Sequence, residues 1–464
     1  MNALGLLLLA ACSVGLLAAP RRWAAVPLLV GCCYITTGQG LAIGAFALPV
    51  FRVLLVVGLL RIMLRGERPV GGFNAADWLM IAWCGWTFLA SLFQPSSGPS
   101  GPKYMLGIIF TVGGPYFIFR SLCRDLDDVK HLLRCVCVLL VPVAAVMLYE
   151  KFFYQNLFSV FGRVPEIPLI RDGRIRAQGP FSHPILAGTI GAACLPFVLV
   201  IWSRYRAAAL LGACACLLMV FASASSGPIM STIFAGFAVG MWRYRRHCGK
   251  LRVLALVTYI LLMFVMTRPP YYLISRIDLT GSSTGWHRAY LIQQTFAHFD
   301  EWALIGTNRT RHWMPDQGHI SETETDITNY YIIFGVWSGF LGMVLVIAML
   351  WRAFKSVGEY ARHPATSHDD AFAMWCLGAS LFSHATSSIS VSYFGQAPVF
   401  FWLAVATIAS LRSSLAPRRF LAPVGHATQS LFVPRTVAVA EASASTSSIP
   451  VSLPAASRFP ASHP

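Results

Sequence analysis

Apolar stretches recur along this chain at Ala42 to Leu60, Leu132 to Leu148, Ala207 to Phe221, Leu251 to Met266 and Tyr330 to Leu350. Each is roughly long enough to cross a ~30 Å hydrocarbon core as a helix. With 56% hydrophobic and 12% charged residues among 464, the chain cannot hide its apolar surface inside a water-soluble globule. Lipid must be the solvent, and the reading is an all-α, polytopic membrane helix bundle.

The formal charge of +17 comes from 36 Lys+Arg against 19 Asp+Glu. It is divided among short clusters at Arg21/Arg22, Arg61 to Arg68, Arg120 to Arg134, Arg204/Arg206, Arg243 to Arg252, Arg352 to Arg362 and Arg412 to Arg419. Clusters between spans orient helices, and they do not form a nucleic-acid face, so no nucleic-acid partner is expected. With every cluster in the cytoplasm, the chain crosses twice between successive clusters, which gives about twelve or thirteen helices by length. The predicted external turns are Thr36 to Gly40, Gln94 to Lys103, Phe153 to Ser182, Ser223 to Gly227, Arg268 to Asp326 and a point near Ser390.

The domain reading follows from these crossings. N-terminal membrane helices occupy 1–152, a first long external loop 153–182, central helices 183–267, a large external loop 268–326, and C-terminal helices 327–412. Residues 413–464, rich in Ala, Ser and Pro, are expected to be a disordered cytoplasmic tail. Met1 to Ala18 is apolar but lacks a basic leader, and reads as a first membrane segment. The 12 cysteines lie largely inside apolar runs with no CxxC or Cys/His metal spacing, so they read as small buried hydrophobes; no disulfide, metal or cofactor is expected.

The two long external segments carry the residues most suited to chemistry. In the first, Arg174, Arg176, Gly179 and His183 precede a span beginning near Ile185, and guanidinium forks at a membrane lip suit a phosphate. A snorkelling interfacial loop explains the same residues. In the second, Leu291, Ile292, Thr295 and Phe296 repeat at helical spacing and predict a short amphipathic helix with Arg288 in its first turn. A cation there opposes the helix dipole and suits an anion, although a solvated arginine flanked by interfacial Trp286 and Trp302 accounts for the pattern equally well. Glu322, Glu324 and Asp326 lead into a span with Gly335, Gly339 and Gly342. They supply either a general base or a plain helix cap at Asp326 or Thr328, and the glycines permit close helix packing.

Other patterns carry less. Asp125-Leu-Asp127 reads as a solvated turn, Gly249-Lys250 lacks the rest of a phosphate loop, and His368-Asp369-Asp370 looks like a helix start. Arg52 and His384 stand out as ionisable residues within spans.

An Arg-x-x-Gly segment ahead of a span (Arg176 to Gly179, then His183-Pro184), an Arg-led amphipathic stretch ending in Gly (Arg288 to Gly306), and an Asn-aromatic span entry with spaced glycines (Asn329 to Gly342) follow in order. This arrangement resembles the bacterial O-antigen ligase and polysaccharide polymerase superfamily. The resemblance implies a metal-independent, inverting glycosyltransferase of the bacterial inner membrane with its active face in the periplasm. It further implies an undecaprenyl-diphosphate-linked glycan as donor, a glycan or lipid acceptor, and membrane lipids and other polysaccharide-assembly proteins as partners. Arg176 and Arg288 match the family's diphosphate-binding arginines; Arg174, His183, Trp286 and Asn329 are further substrate-binding candidates. Ligases of this superfamily commonly carry His directly before the Asn, where this chain has Thr328, so the candidate bases are Asp326, Glu324 and His319. A polysaccharide flippase and a non-catalytic scaffold of envelope assembly are the competing readings; a flippase needs a polar path through the bundle.

Overall fold

The computed structural model describes residues 1–43, 46–94, 101–276, 285–315 and 320–415. The candidate base His319 and the tail from 416 onward lie outside them. The described residues hold fifteen α-helices: α1 (Ala3–Ala18), α2 (Val26–Tyr34), α3 (Val50–Arg65), α4 (Ala75–Ser91), α5 (Pro102–Leu122), α6 (Leu126–Phe153), α7 (Pro184–Ile201), α8 (Arg206–Ser223), α9 (Ser226–Gly240), α10 (Cys248–Val265), α11 (Gly285–Ala297), α12 (Phe299–Trp302), α13 (Tyr330–Ala361), α14 (His368–Ser387) and α15 (Pro398–Ser414). Two antiparallel hairpins complete the fold, β1 (Gly40–Ile43) with β2 (Phe46–Pro49), and β3 (Leu169–Arg171) with β4 (Arg174–Arg176).

The chain is a helical membrane protein. Among the described residues six helical stretches are long and apolar enough to cross a membrane: α5, α6, α7, α8, the run from α9 through α10, and α13; α1 and α15 are apolar but shorter. One apolar run does not form the continuous helix its composition suggests. Ala42 to Leu60 is divided by Pro49, which ends β2 and precedes the first residue of α3. Proline lacks the N–H that a continuing helix would use, and its ring fixes the break.

Small residues let the central helices approach closely. A side chain at Gly191 of α7 would lie 2.8 Å from the Cys216 carbonyl of α8, and one at Gly212 of α8 would lie 2.6 Å from Cys137 Cβ of α6. This is the packing expected where the surroundings are as apolar as the helices themselves. Helix α7 is buried along nearly its whole length, as is α15. Helix α10 has no buried residue and offers an uncovered apolar surface. All twelve cysteines are free and most are buried, although Cys214 faces outward from α8.

Interactions gather the connections at two ends of the bundle. At one end Arg21 pairs with Asp128 at 2.6 Å, Arg204 with Asp127 at 2.6 Å, Arg412 with Glu359 at 2.7 Å and Arg352 with Glu359 at 3.3 Å. The Asp125-Leu-Asp127 motif is thereby accounted for, since Asp125 caps α6 and Asp127 faces Arg204. At the other end Thr36 Oγ1 donates to Gly162 O at 2.7 Å, Gln396 Nε2 to Pro180 O at 2.8 Å, Gln94 Nε2 to Trp337 O at 2.9 Å and Asn329 Nδ2 to Ile389 O at 2.9 Å. The arginine-rich segments of interest lie at this second end.

Helix α13 breaks where the second long segment docks on it. Ser338 and Gly339 leave helical geometry, with Gly339 at φ +77°. Phe340 N donates to Ala303 O at 2.8 Å and Thr307 N to Val336 O at 2.9 Å. The expected role of the spaced glycines changes accordingly. A Cβ at Gly335 would sit 2.6 Å from the Trp302 ring and one at Gly339 would sit 2.3 Å from Leu304 O, so these glycines admit the loop and not a neighbouring helix.

Candidate functional site

The first arginine segment is built on a tight hairpin. Asp172 and Gly173 both have positive φ, at 50° and 72°, as a two-residue turn between twisted strands demands. Beyond it, β4 exposes Arg174 and buries Arg176, which is 5% exposed. Arg176 Nε and Nη2 donate to Ser225 Oγ at 3.2 and 2.6 Å. The Arg-x-x-Gly spacing has a local cause: buried Glu150 of α6 accepts the Gln178 N–H at 3.1 Å and the Gly179 N–H at 2.8 Å. Gly179 adopts φ +57°, and a Cβ there would approach Met147 Cγ to 3.0 Å.

His183 follows as the cap of α7. Its Nδ1 accepts the Ile185 N–H at 3.2 Å, which places the proton of the neutral ring on Nε2. Burial, reinforced by Arg176, Arg171 and Arg288, pushes its pKa down to about 4, so the ring is neutral at physiological pH.

The second segment forms α11, the predicted amphipathic helix, with Arg288 in its first turn. Ala289, Leu291, Ile292 and Thr295 are buried, and Leu291 and Ile292 join a satellite core with Trp302, Trp313, Met314, Ile327, Ile332 and Val336. Phe296, expected on that face, is 65% exposed. Trp302 is not the expected interfacial anchor: it is buried and donates from Nε1 to Thr295 O at 3.0 Å. Trp286 is exposed and stacks on Tyr290, with centroids 5.0 Å apart.

These elements enclose a cavity of ≈ 630 Å³ whose lining includes Tyr104, His183, Arg288, Glu324, Asp326 and Thr328. An adjoining chamber of ≈ 720 Å³ contains Arg52 and Arg163 and shares Tyr104, Trp337, Tyr393 and Phe394 with the first. Arg52 Nε donates to Thr111 Oγ1 at 3.0 Å, and Gly107 leaves room for its guanidinium.

The cavity carries charges of both signs, Arg288 with Glu324 and Asp326. Elsewhere the buried arginines meet carboxylates, Arg61 with Glu67 at 2.9 Å and Arg120 with Asp77 at 3.2 Å. Among the described residues neither Arg176 nor Arg288 forms an ion pair, and Arg288 Nε and Thr328 Oγ1 are buried without a hydrogen-bond partner. Burial depresses both guanidinium pKa values; together with Arg171 and Arg288 it brings that of Arg176 to about 10, while at Arg288 the lowering by burial and Arg171 is opposed by Asp326. Both remain cationic at neutral pH. Asp326 is an exposed residue on the cavity wall; partial desolvation raises its pKa, against the opposing pull of His287 and Arg288. Burial also raises that of Glu324.

The structure thus groups His183, Arg288, Glu324 and Asp326 in one cavity, with Arg176 close enough for its charge to act on both His183 and Arg288. Arg174 turns instead toward a groove beside Lys151 and Phe221. Asn329 is occupied as the cap of α13, accepting from Tyr331 and Ile332 N–H groups at 3.0 and 3.1 Å, in place of the caps expected at Asp326 or Thr328. Tyr104 and Glu150 were not legible as site residues, because each reaches the site from a helix distant in sequence. What the fold and cavity define is a predominantly helical chain with membrane-spanning-length apolar helices and a recess at one end that sets Arg288 among Glu324 and Asp326. No protein-family model matches the chain, and no curated protein matches it in sequence.

Proposed function

We propose that the protein is a bacterial inner-membrane glycosyltransferase of the O-antigen ligase and polymerase type, with the cavity on its periplasmic side. It transfers a glycan from an undecaprenyl-diphosphate donor to a hydroxyl acceptor during cell-surface polysaccharide synthesis. One observation carries this reading: Arg288 lines a cavity with carboxylates, Arg176 is near enough for their charges to interact, and neither arginine has an ion-pair partner among the described residues. Cations held in this way suit a diphosphate whose negative charge grows as it leaves.

In the proposed reaction the acceptor oxygen bonds to the anomeric carbon as the bond from that carbon to the diphosphate oxygen breaks. The electron pair departs with the diphosphate, facing Arg176 and Arg288. The hydroxyl proton passes to the carboxylate of Asp326, with Glu324 the neighbouring candidate. His183, neutral and with its proton on Nε2, lines the same cavity and would hydrogen-bond the donor without adding charge. The adjoining chamber would receive the acceptor.

Glycan analysis of a deletion strain complemented with wild type, Arg176→Ala or Arg288→Ala, at matched membrane expression, tests this. Failure of both variants is expected. Accumulated single lipid-linked repeats would identify a polymerase and long unattached chains a ligase. Restoration of the normal glycan by both variants would overturn the reading in favour of transport or scaffolding.

A further inference from the structure

Away from the cavity, the large loop brings together three residues that the anion site does not use. His298 stands between α11 and α12, Glu301 lies in α12, and His312 lies in the short turn Arg311–Trp313. His298 Nδ1 and His312 Nε2 are each 2.9 Å from the same oxygen, Glu301 Oε1. The three potential ligand atoms all lie within 4.8 Å of one another. We propose that His298, Glu301 and His312 form a divalent transition-metal site that takes Zn2+.

The donor set selects the ion. Two imidazole nitrogens and one carboxylate oxygen suit zinc, whereas calcium and magnesium favour oxygen ligands throughout. Zinc–ligand bonds of about 2.0–2.2 Å put tetrahedral neighbours roughly 3.3 Å apart, so small side-chain rotations would open the existing cluster around an ion. Water would complete the coordination.

The surrounding shell is already arranged to hold the ligands. Buried Trp313 donates from Nε1 to Glu301 Oε2 at 3.0 Å, which anchors one carboxylate oxygen and leaves the other directed at the imidazoles. The His298 ring stacks on Trp313 at 5.9 Å with planes 5° apart, and meets the His312 ring edge-on at 4.9 Å. The cluster is open to solvent on the His312 side, which gives the ion an entry path. Hydrogen bonding of both imidazoles to one carboxylate is the competing explanation, and it requires no metal.

A bound ion would clamp α12 to the turn at 311–313. That turn supports the strap carrying the cavity carboxylates: Thr310 N and Arg311 N donate to Thr323 O at 2.9 and 3.0 Å, and Thr325 N donates to Thr310 Oγ1 at 3.1 Å. Zinc would therefore brace Glu324 and Asp326 from outside the cavity. The binding claim stands apart from the transferase reading, because it concerns other residues.

The test uses full-length protein purified in detergent through a histidine-free tag, stripped with chelator and titrated calorimetrically with Zn2+, with Mg2+ as control. Wild type is expected to take about one Zn2+ per chain in a saturable, Mg2+-resistant manner and to gain thermal stability. His312→Ala, at a half-exposed position, and Glu301→Gln should each lose both responses. The metal-free Tm of His312→Ala should stay near that of the metal-free wild type, which separates lost binding from lost folding. Absence of saturable zinc uptake by wild type, or undiminished uptake by His312→Ala, would leave only the hydrogen-bonded cluster.

Discussion

The carboxylate of Glu150 accepts the backbone N–H of Gly179 at 2.8 Å, in the interior and 29 residues away along the chain. The same side chain accepts from Gln178 N, and Asn156 Nδ2 donates to Gly179 O at 2.9 Å. A loop that would otherwise be free to move is thereby held by its backbone, and Arg176 enters the interior two residues before the clamp. Backbone groups buried without water need such partners. Glu150 therefore acts on the proposed reaction through Arg176, as a positioning residue.

Removing that clamp should cost stability as well as geometry. Glu150→Ala leaves two buried N–H groups without an acceptor, at about 1–3 kcal/mol each. Glu150→Gln keeps one acceptor oxygen and should retain more of the fold. Thermal denaturation in detergent should rank wild type above Glu150→Gln and that above Glu150→Ala, with glycan output following the same order. Equal melting temperatures for all three would show that the clamp contributes nothing.

Charge alone should not satisfy the anion site. Arg288→Lys preserves the cation but removes the planar fork that matches two phosphate oxygens. Loss of one charge-assisted hydrogen bond, about 1.5–3 kcal/mol, lowers transfer roughly 10- to 100-fold. Arg174→Lys, in a residue turned toward the Lys151 groove, should leave transfer near wild type. Rate measurements with a lipid-linked glycan would check the contrast; equal losses at 174 and 288 would argue against a localised diphosphate site.

The apolar runs made the bundle readable, since a helix in lipid must be apolar over a length set by the bilayer. The amphipathic period likewise revealed α11 and placed Arg288 in its first turn. Period alone could not tell that Leu291 and Ile292 pack into the loop's own core while Phe296 stays exposed, nor could composition show that Pro49 divides Ala42 to Leu60. Tyr104 and Glu150 stayed hidden because their roles depend on tertiary approach. Trp302 drew attention by residue type and Asn329 through the resemblance, yet the fold uses one as core and the other as a cap. Proximity in sequence to a candidate site is thus a weak guide to membership, whereas the lack of a charge partner can be judged only in three dimensions.

The docking of the large loop on α13 depends on backbone contact at Gly339. Alanine there would meet Leu304 O at 2.3 Å while holding φ at +77°. Strain of about 1–3 kcal/mol for the backbone, plus displacement of the Ala303 to Gly306 contact, should loosen the loop. Gly339→Ala is expected to lower Tm and to increase proteolysis between 285 and 315, while Gly236→Ala, which meets nothing within 4 Å, should do neither. Unchanged protease resistance in Gly339→Ala would mean that the loop is held by other contacts.

The pH dependence of transfer offers a test of the proposed base. Asp326 must be deprotonated to accept the acceptor's proton, and partial desolvation raises its pKa above the ordinary 3.8. Activity of purified protein should therefore rise as pH climbs through that raised value and fall away below it. The acid limb belongs at a higher pH than a fully solvated aspartate would give. His287 and Arg288 oppose the shift by favouring the carboxylate, so His287→Ala should move the limb upward. Asp326→Asn should remove the limb and slow transfer about 10²- to 10⁴-fold, whereas Glu324→Gln should retain it. A wild-type profile in Asp326→Asn, with the limb lost in Glu324→Gln, would instead make Glu324 the proton acceptor.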